Sequence, residues 1–220
     1  MSNGAFITFE GGEGSGKSTQ IVLLAERLRT AGAELVVTRE PGGTPVGDGV
    51  RALVLDVAHT GMTPRAELLL YEASRAEIVT SVISPALERG AIVLCDRFAD
   101  SSTAYQAYGR GLPLAEVLAL NMLATVGVTP DLTLLLDIEP TVGLARAAGE
   151  ATADRLESEE LAFHERVRGG FLALAGTEPS RIRVVDATPE PDKVAERVAI
   201  AVRDAALTTP ALASLPGGWW

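Results

Sequence analysis

One nine-residue run, Gly11-Gly12-Glu13-Gly14-Ser15-Gly16-Lys17-Ser18-Thr19, constrains this chain more than anything else in it. The apolar stretch Ala5-Phe6-Ile7-Thr8-Phe9 before it reads as a strand, and the residues from Ile21 to Leu28 after it carry apolar side chains at helical spacing. A strand, a glycine-rich loop of the form G-x-x-x-x-G-K-S and a helix, in that order, form the setting in which the spacing holds nucleotide phosphates. Glycines let the loop adopt backbone angles closed to other residues, so its N–H groups can converge on phosphate oxygens. The positive end of the following helix points at the same spot. Lys17 is expected to reach the β- and γ-phosphates, and the Ser18 hydroxyl to ligate Mg2+. A plain glycine-rich turn is the competing explanation, and the complete motif with both flanks weighs against it.

The other apolar runs supply a sheet for this loop to sit on. Strands are expected at Glu34–Thr38, at Ala91–Cys95, from Leu132 to Asp137 and at Arg181–Asp186. The uninterrupted run Ala91-Ile92-Val93-Leu94-Cys95 predicts a central parallel strand buried on both faces. Helical spacing recurs from Val50 to Val57, from Thr63-Pro64 to a kink or end near Pro85, and from Leu114 to Val126. It returns from Pro140 to Ala147, from Leu156 to Ala175 and from Pro191 to Ala206. The segment Phe98–Gly111 is expected to be a binding loop, or a short helix with loops. Five strands alternating with helices predict an α/β fold with a five-stranded parallel sheet covered on both faces. A single domain is expected over 1–206, broken at Gly149–Asp154, with an aperiodic tail over 207–220 that ends in Trp219-Trp220 and is expected to be disordered, the alternative being that the tryptophans dock on this chain or a neighbour.

Composition limits the partners. A chain of 220 residues, 47% hydrophobic and 22% charged, is expected to be one soluble globular domain. Cys95 is the single cysteine, so no intrachain disulfide forms and a reducing, cytoplasmic setting is expected. The phosphate loop starts so early that no signal peptide is expected, and no apolar run is long enough to span a membrane. A net charge of −10 argues against a nucleic-acid partner.

A phosphate loop does not separate kinases from ATPases, GTPases or motors, so the choice rests on polar residues at strand ends. Asp96, after an apolar strand, is placed for the Mg2+ shell; a turn or helix-cap aspartate is the alternative. Arg97 beside it can take a phosphate bidentately, or can pair with a carboxylate. Tyr71 and Arg75 share a helix face, where a ring can stack on a base and a guanidinium can donate to its edge; core packing and a surface charge are the alternatives. Arg146 and Arg155 flank the small-residue break, as expected of a mobile lid over a transferring phosphoryl group, or of a solvated loop. Glu13 is an unusual carboxylate so close to a triphosphate, unless it meets a cation or a sugar hydroxyl or lies exposed. Neither histidine is assigned a role. Three readings remain open here: a small-molecule phosphate-loop kinase, a nucleotide-dependent regulator, and an inactive scaffold.

Taken together, several segments resemble the bacterial thymidylate kinases, members of the P-loop nucleoside monophosphate kinase superfamily. They are Phe9-Glu10 with the phosphate loop, Thr38-Arg39-Glu40-Pro41-Gly42-Gly43-Thr44, and Leu70-Tyr71-Glu72-Ala73-Ser74-Arg75. Asp96-Arg97-Phe98, Ser101-Ser102-Thr103-Ala104-Tyr105-Gln106, Gly109-Arg110-Gly111 and Asp154-Arg155-Leu156-Glu157 continue the likeness in order. The resemblance implies the three-layer P-loop NTPase fold with a short lid at about 147–156, and phosphorylation of dTMP to dTDP by ATP with Mg2+, a step of dTTP biosynthesis. It implies that Gly11, Gly12, Glu13, Gly14, Ser15, Gly16, Lys17, Ser18 and Thr19 hold ATP, with Arg146 and Arg155 acting from the lid. Ser18 and Asp96 would hold Mg2+. Lys17, Arg97, Asp96, Arg155 and Glu13 would be catalytic, Glu13 also approaching the sugar hydroxyl. The acceptor dTMP would meet Glu13, Arg39, Pro41, Tyr71, Arg75, Arg97, Ser102, Tyr105 and Gln106, with Tyr105 disfavouring a ribose 2′-hydroxyl. A homodimer built on the helices around residues 50–88 is implied, with no nucleic-acid or membrane partner. The lid has fewer arginines than that family pattern: between Arg146 and Arg155 the chain reads Ala147-Ala148-Gly149-Glu150-Ala151-Thr152-Ala153-Asp154.

Overall fold

A computed structural model describes residues 4–149 and 154–215. Five strands form its sheet: β1 Ala5–Glu10, β2 Leu35–Arg39, β3 Ile92–Asp96, β4 Leu132–Asp137 and β5 Ile182–Asp186. All neighbours are parallel, in the order β2-β3-β1-β4-β5. The strand that feeds the phosphate loop is therefore central, and every residue of β1 is buried. That is why β1 and β4 read as apolar runs rather than as alternating patterns. Inside the sheet the Thr8 and Thr133 hydroxyls share a hydrogen bond of 2.8 Å across β1 and β4.

Nine α-helices cover the sheet among the described residues: α1 Lys17–Thr30, α2 Pro45–Leu55, α3 Pro64–Ile78, α4 Ser84–Glu88, α5 Ala99–Ser102, α6 Leu114–Thr125, α7 Pro140–Ala147, α8 Leu161–Thr177 and α9 Pro191–Ala206. The apolar sides of α1 and α9 pack on one face around Ile7, Phe9, Leu94 and Leu134. On the other face Phe6, Val93 and Cys95 meet Ile78, Val79 and Ile83, while Tyr105, Phe163 and Phe171 cluster against Leu135. None of these helices is long and apolar enough to cross a membrane.

Several expected boundaries move. Helix α2 starts at Pro45, where the Thr44 hydroxyl accepts the Gly47 N–H and caps the first turn. The break before Pro85 is a π-helical turn, Val79–Ile83, with Pro85 inside the first turn of α4. A proline cannot donate to a residue four positions back, and the widened turn absorbs the loss. The segment after Phe98 is α5 followed by a π-helical Thr103–Gly109, not a loop. Helix α8 begins at Leu161, five residues later than its apolar spacing suggests, because Asp154 caps a turn through the N–H groups of Leu156 and Glu157. The expected disorder of the tail is corrected over 207–215. Residues Pro210–Ser214 form a 3-10 helix, and Leu212 and Leu215 are buried in the α1–α9 core. The lid residues 150–153 and Trp219-Trp220 lie outside the described residues.

Candidate active site

The phosphate loop leaves β1 at Glu10 and ends where α1 begins at Lys17. Its shape demands glycine at two places above all. Gly11 sits at φ 138 and Gly14 at φ 61, and a Cβ on either would overlap a backbone carbonyl, of Leu136 or of Gly143. Gly143 of α7 is equally bare because Glu13 O lies against it. Backbone meets backbone here, which fixes α7 beside the loop and sets Arg146 one turn further on.

Lys17 folds back over the loop and donates to Gly11 O, Gly12 O and the Ser15 hydroxyl at 3.2, 2.9 and 3.3 Å. Burial, and the Arg97 guanidinium after it, push its pKa below the usual lysine range. The Ser18 hydroxyl donates to Asp96 Oδ2 at 3.1 Å, and Asp96 Oδ1 is buried with no hydrogen-bond partner. An oxygen pair with an uncommitted carboxylate oxygen suits a hard divalent cation that takes its remaining ligands from phosphate and water. The described residues contain no cluster of three His, Cys, Asp or Glu side chains able to cage a metal on their own.

Arg97 follows β3 in the left-handed region, at φ 68. Nη1 donates to Gly11 O at 3.0 Å and to Ser101 Oγ at 3.2 Å, and Nη2 to Glu13 Oε1 at 2.9 Å. The guanidinium lies over the Tyr105 ring, 5.0 Å from its centroid. Three of its five N–H groups are thus committed within the protein, which leaves Nε–H and one Nη2–H. Glu13 also accepts from the Tyr105 hydroxyl at 2.6 Å, again through Oε1, so Oε2 is uncommitted. Burial pushes the Glu13 carboxyl up, but Arg97, then Lys17 and the Tyr105 hydroxyl, outweigh it and hold it down to about 2. Glu13 is therefore neither exposed nor repelled; it belongs to an ion pair.

These groups line one cavity of about 630 Å3. One wall is the loop from Glu13 to Thr19 with Gln20; another is Arg39, Glu40, Arg51, Asp96 and Arg97; the far end is Arg146, Ala187, Pro189, Pro191 and Val194. Arg146 is held there by the carbonyls of Ala187 and Thr188 at 2.9 and 2.6 Å. Arg51 has no counterpart among the residues the sequence singled out. It faces the cavity from α2 and donates to Pro41 O at 3.1 Å. Its only sequence signal is a lone basic residue on the helix that follows Thr38–Thr44.

A second cavity, of about 30 Å3, is lined by Tyr71, Arg97, Ser101, Ser102, Tyr105, Gln106 and Leu156. Five of the expected acceptor residues meet there, and the lid residue Leu156 closes it. Arg75 is not a surface charge, which was the alternative to its expected place at the base edge. It is 1% exposed and donates to Glu40, Glu72, Ser102, Asn121 and Phe98 O. Glu40 balances it only in part: burial, reinforced by Glu72, raises the Glu40 carboxyl to about 7. Arg39 is exposed and pairs with Asp48 at 3.7 Å.

Arg155 departs furthest from expectation. It is 3% exposed, donates through Nε to Val54 O at 2.7 Å and pairs with Glu67 at 2.6 Å. It lines neither cavity, and its guanidinium is engaged by Val54 O and Glu67. Glu67, unmarked by any motif, gathers Gln106, Arg110 and Arg155 around one buried carboxylate.

A five-stranded parallel sheet, a phosphate loop after its central strand and a cavity that joins this loop to the end of the neighbouring strand give the fold of a P-loop nucleoside monophosphate kinase. Comparison with known proteins narrows the class. A family model described as thymidylate kinase matches residues 9–198. The thymidylate kinase of Deinococcus radiodurans is 54% identical over 204 residues, covering 93% of this chain and 98% of that protein. That of Trichlorobacter lovleyi is 52% identical over 203 residues, covering 90% and 96%. A crystal structure of thymidylate kinase from Ehrlichia chaffeensis superposes with a TM-score of 0.75 at 36% identity, covering 91% of this chain and 98% of that one. The chain belongs to the thymidylate kinase family.

Proposed function

We propose that this chain transfers the γ-phosphoryl group of ATP to dTMP, giving ADP and dTDP. One observation carries the reading: the phosphate loop with Lys17 and Arg97, which keeps two N–H groups uncommitted, line a single cavity. Two anion sites in one cavity suit two phosphorylated substrates laid end to end. Transfer is then direct and in line, and the protein supplies positioning and charge neutralisation. A phosphate acceptor is already anionic, so no general base is needed.

Lys17 and the loop amides hold the donor's phosphates. Mg2+ held by Ser18 and Asp96 would neutralise charge on those phosphate oxygens. Arg97 offers Nε–H and one Nη2–H to the acceptor phosphate, with Arg39 and Arg51 on the same wall. Glu13 Oε2 is free for a sugar hydroxyl, and the Tyr105 ring, held by Glu13 and Arg97, leaves little room for a 2′-hydroxyl. Tyr71, Ser102 and Gln106 flank the base, with Arg75 and Pro41 behind them. The 30 Å3 cavity admits about one water, so dTMP entry displaces Leu156 and with it the base of the lid. Arg146 walls the end of the large cavity away from Arg97, which suits the donor's nucleoside rather than the transferred group. Arg155 serves the acceptor side through Glu67.

A homodimer accounts for the apolar side chains left exposed on α3 and α6: Leu69, Leu114, Leu118, Met122 and Leu123. The cytoplasm is the assigned compartment. The test is dTMP-dependent formation of ADP, with dUMP, dCMP, dGMP and thymidine as controls. dTMP is expected to lead, with dUMP weaker and the others near background. ADP formation at the same rate without any acceptor would identify an ATPase instead.

A further inference from the structure

Glu10, the last residue of β1, is fully buried, yet the proposed chemistry does not use it. Both of its oxygens are engaged. Oε1 accepts the Phe98 N–H at 2.7 Å, and Oε2 accepts the Ser101 hydroxyl at 2.5 Å. Both donors belong to the turn that leaves β3 and carries Arg97. Ser101 Oγ also accepts from Arg97 Nη1 at 3.2 Å, so a hydrogen-bond chain runs from Arg97 through Ser101 to Glu10. Phe98 is held from the opposite side as well, because its carbonyl accepts from Arg75 Nη2 at 3.1 Å. Arg97 occupies backbone angles that a non-glycine residue keeps only where its surroundings over-determine them. Glu10 holds the backbone of the next residue and, through Ser101, the guanidinium. It does so at an unfavourable place for a carboxylate, since burial and then the nearby Asp100 both disfavour its charged form.

We propose that Glu10 is a positioning residue for the phosphoryl acceptor: by holding Phe98 N–H and Ser101 Oγ it fixes the β3 turn so that the two uncommitted N–H groups of Arg97 meet the acceptor phosphate. The inference rests on the reading of Arg97 as the ligand of that phosphate. It goes beyond Arg97 itself, because Glu10 touches neither cavity.

Glu10→Gln tests it with little change in shape. The amide can still accept from Phe98 N–H, but it turns an N–H toward Ser101 Oγ, which already receives one from Arg97. The expected result is a fall of about 100-fold in kcat/KM for dTMP, carried mainly by KM, with ATP-analogue affinity and Tm unchanged. Added to Arg97→Ala, the same substitution is expected to lower activity no further. Ser101→Ala removes the middle link without touching a buried charge and is expected to raise KM for dTMP about tenfold; it serves if Glu10→Gln does not fold. An unchanged dTMP KM in both variants, independent effects of Glu10→Gln and Arg97→Ala, or an equal loss of ATP affinity and Tm would each overturn the proposal. A wild-type protein with no dTMP-dependent ADP formation would instead refute the functional reading.

Discussion

The two ends of the large cavity are built in opposite ways. The proposed phosphate cradle of the donor is local: it is built on residues 11–19, and Lys17 finds its partners two to six positions away. The acceptor end is stitched together from distant segments. Arg97 bonds to Glu13 across 84 residues, and Arg75 holds the lining residue Glu40 across 35. The donor end therefore depends on backbone shape, and the acceptor end on buried side-chain charges that must neutralise one another. A backbone cradle tolerates any nucleoside that carries phosphates. A side-chain lattice can discriminate, because a wrong partner leaves buried polar groups unpaired.

Substitutions at each end should keep these characters apart. The largest effect is expected from Lys17→Ala, a loss of about 10,000-fold or more in kcat with Tm little changed, read by single-turnover assay and calorimetry. Substantial remaining activity would break the assignment of the donor end. Arg75→Met is expected to do the reverse, costing about 4 kcal/mol of stability because Glu40 and Glu72 are left buried and unpaired; urea unfolding reads it. A stability near wild type would show that those carboxylates find protons or water at little cost.

Arg97→Ala is expected to lower kcat/KM for dTMP about 100-fold while ATP-analogue binding holds; equal losses at both substrates would erase the distinction between the two ends. Tyr105→Phe removes one hydroxyl from Glu13 and should cost about 1 kcal/mol in dTMP binding, seen by calorimetric titration.

The smallest effect concerns pH. Glu13 titrates near 4.5 when unfolded and at about 2 when folded, after the burial penalty is outweighed by Arg97. A depressed carboxylate contributes stability that is complete above the unfolded value and is lost as pH falls toward the folded one. The stability advantage of wild type over Glu13→Gln is therefore expected to be constant above about pH 5.5 and to shrink steadily below 4.5. A difference independent of pH would remove the Arg97–Glu13 pair from the account.

How far the sequence could be read follows the same division. All five strands lay where their apolar runs indicated: β1, β3 and β4 are buried on both faces and leave no other pattern, while the partly exposed β2 and β5 still carry short apolar runs. Lys17, Ser18 and Asp96 were legible because the geometry that unites them is set by a short loop and the neighbouring strand end. Arg75 looked equally suited to the surface and to the pocket, and no local signal separated the two. Arg155 was expected above the phosphates and lies under Glu67 instead. Arg51, Glu67 and Glu10 carried no signal of their own, because a single charged residue on a helix or at a strand end resembles any other. The start of α8 was misplaced because a capped turn can imitate the apolar spacing of a helix.

By itself the sequence determined that this chain forms a parallel α/β sheet with a phosphate cradle at its centre, because both features rest on contiguous residues and on the backbone. Only the tertiary structure decided which charges neutralise which: that Glu13 is paired rather than repelled, that Arg75 is buried, and that Arg155 faces inward. Coulomb energies and desolvation depend on distances across the fold and on exclusion of water, and neither is encoded within any one stretch of the chain.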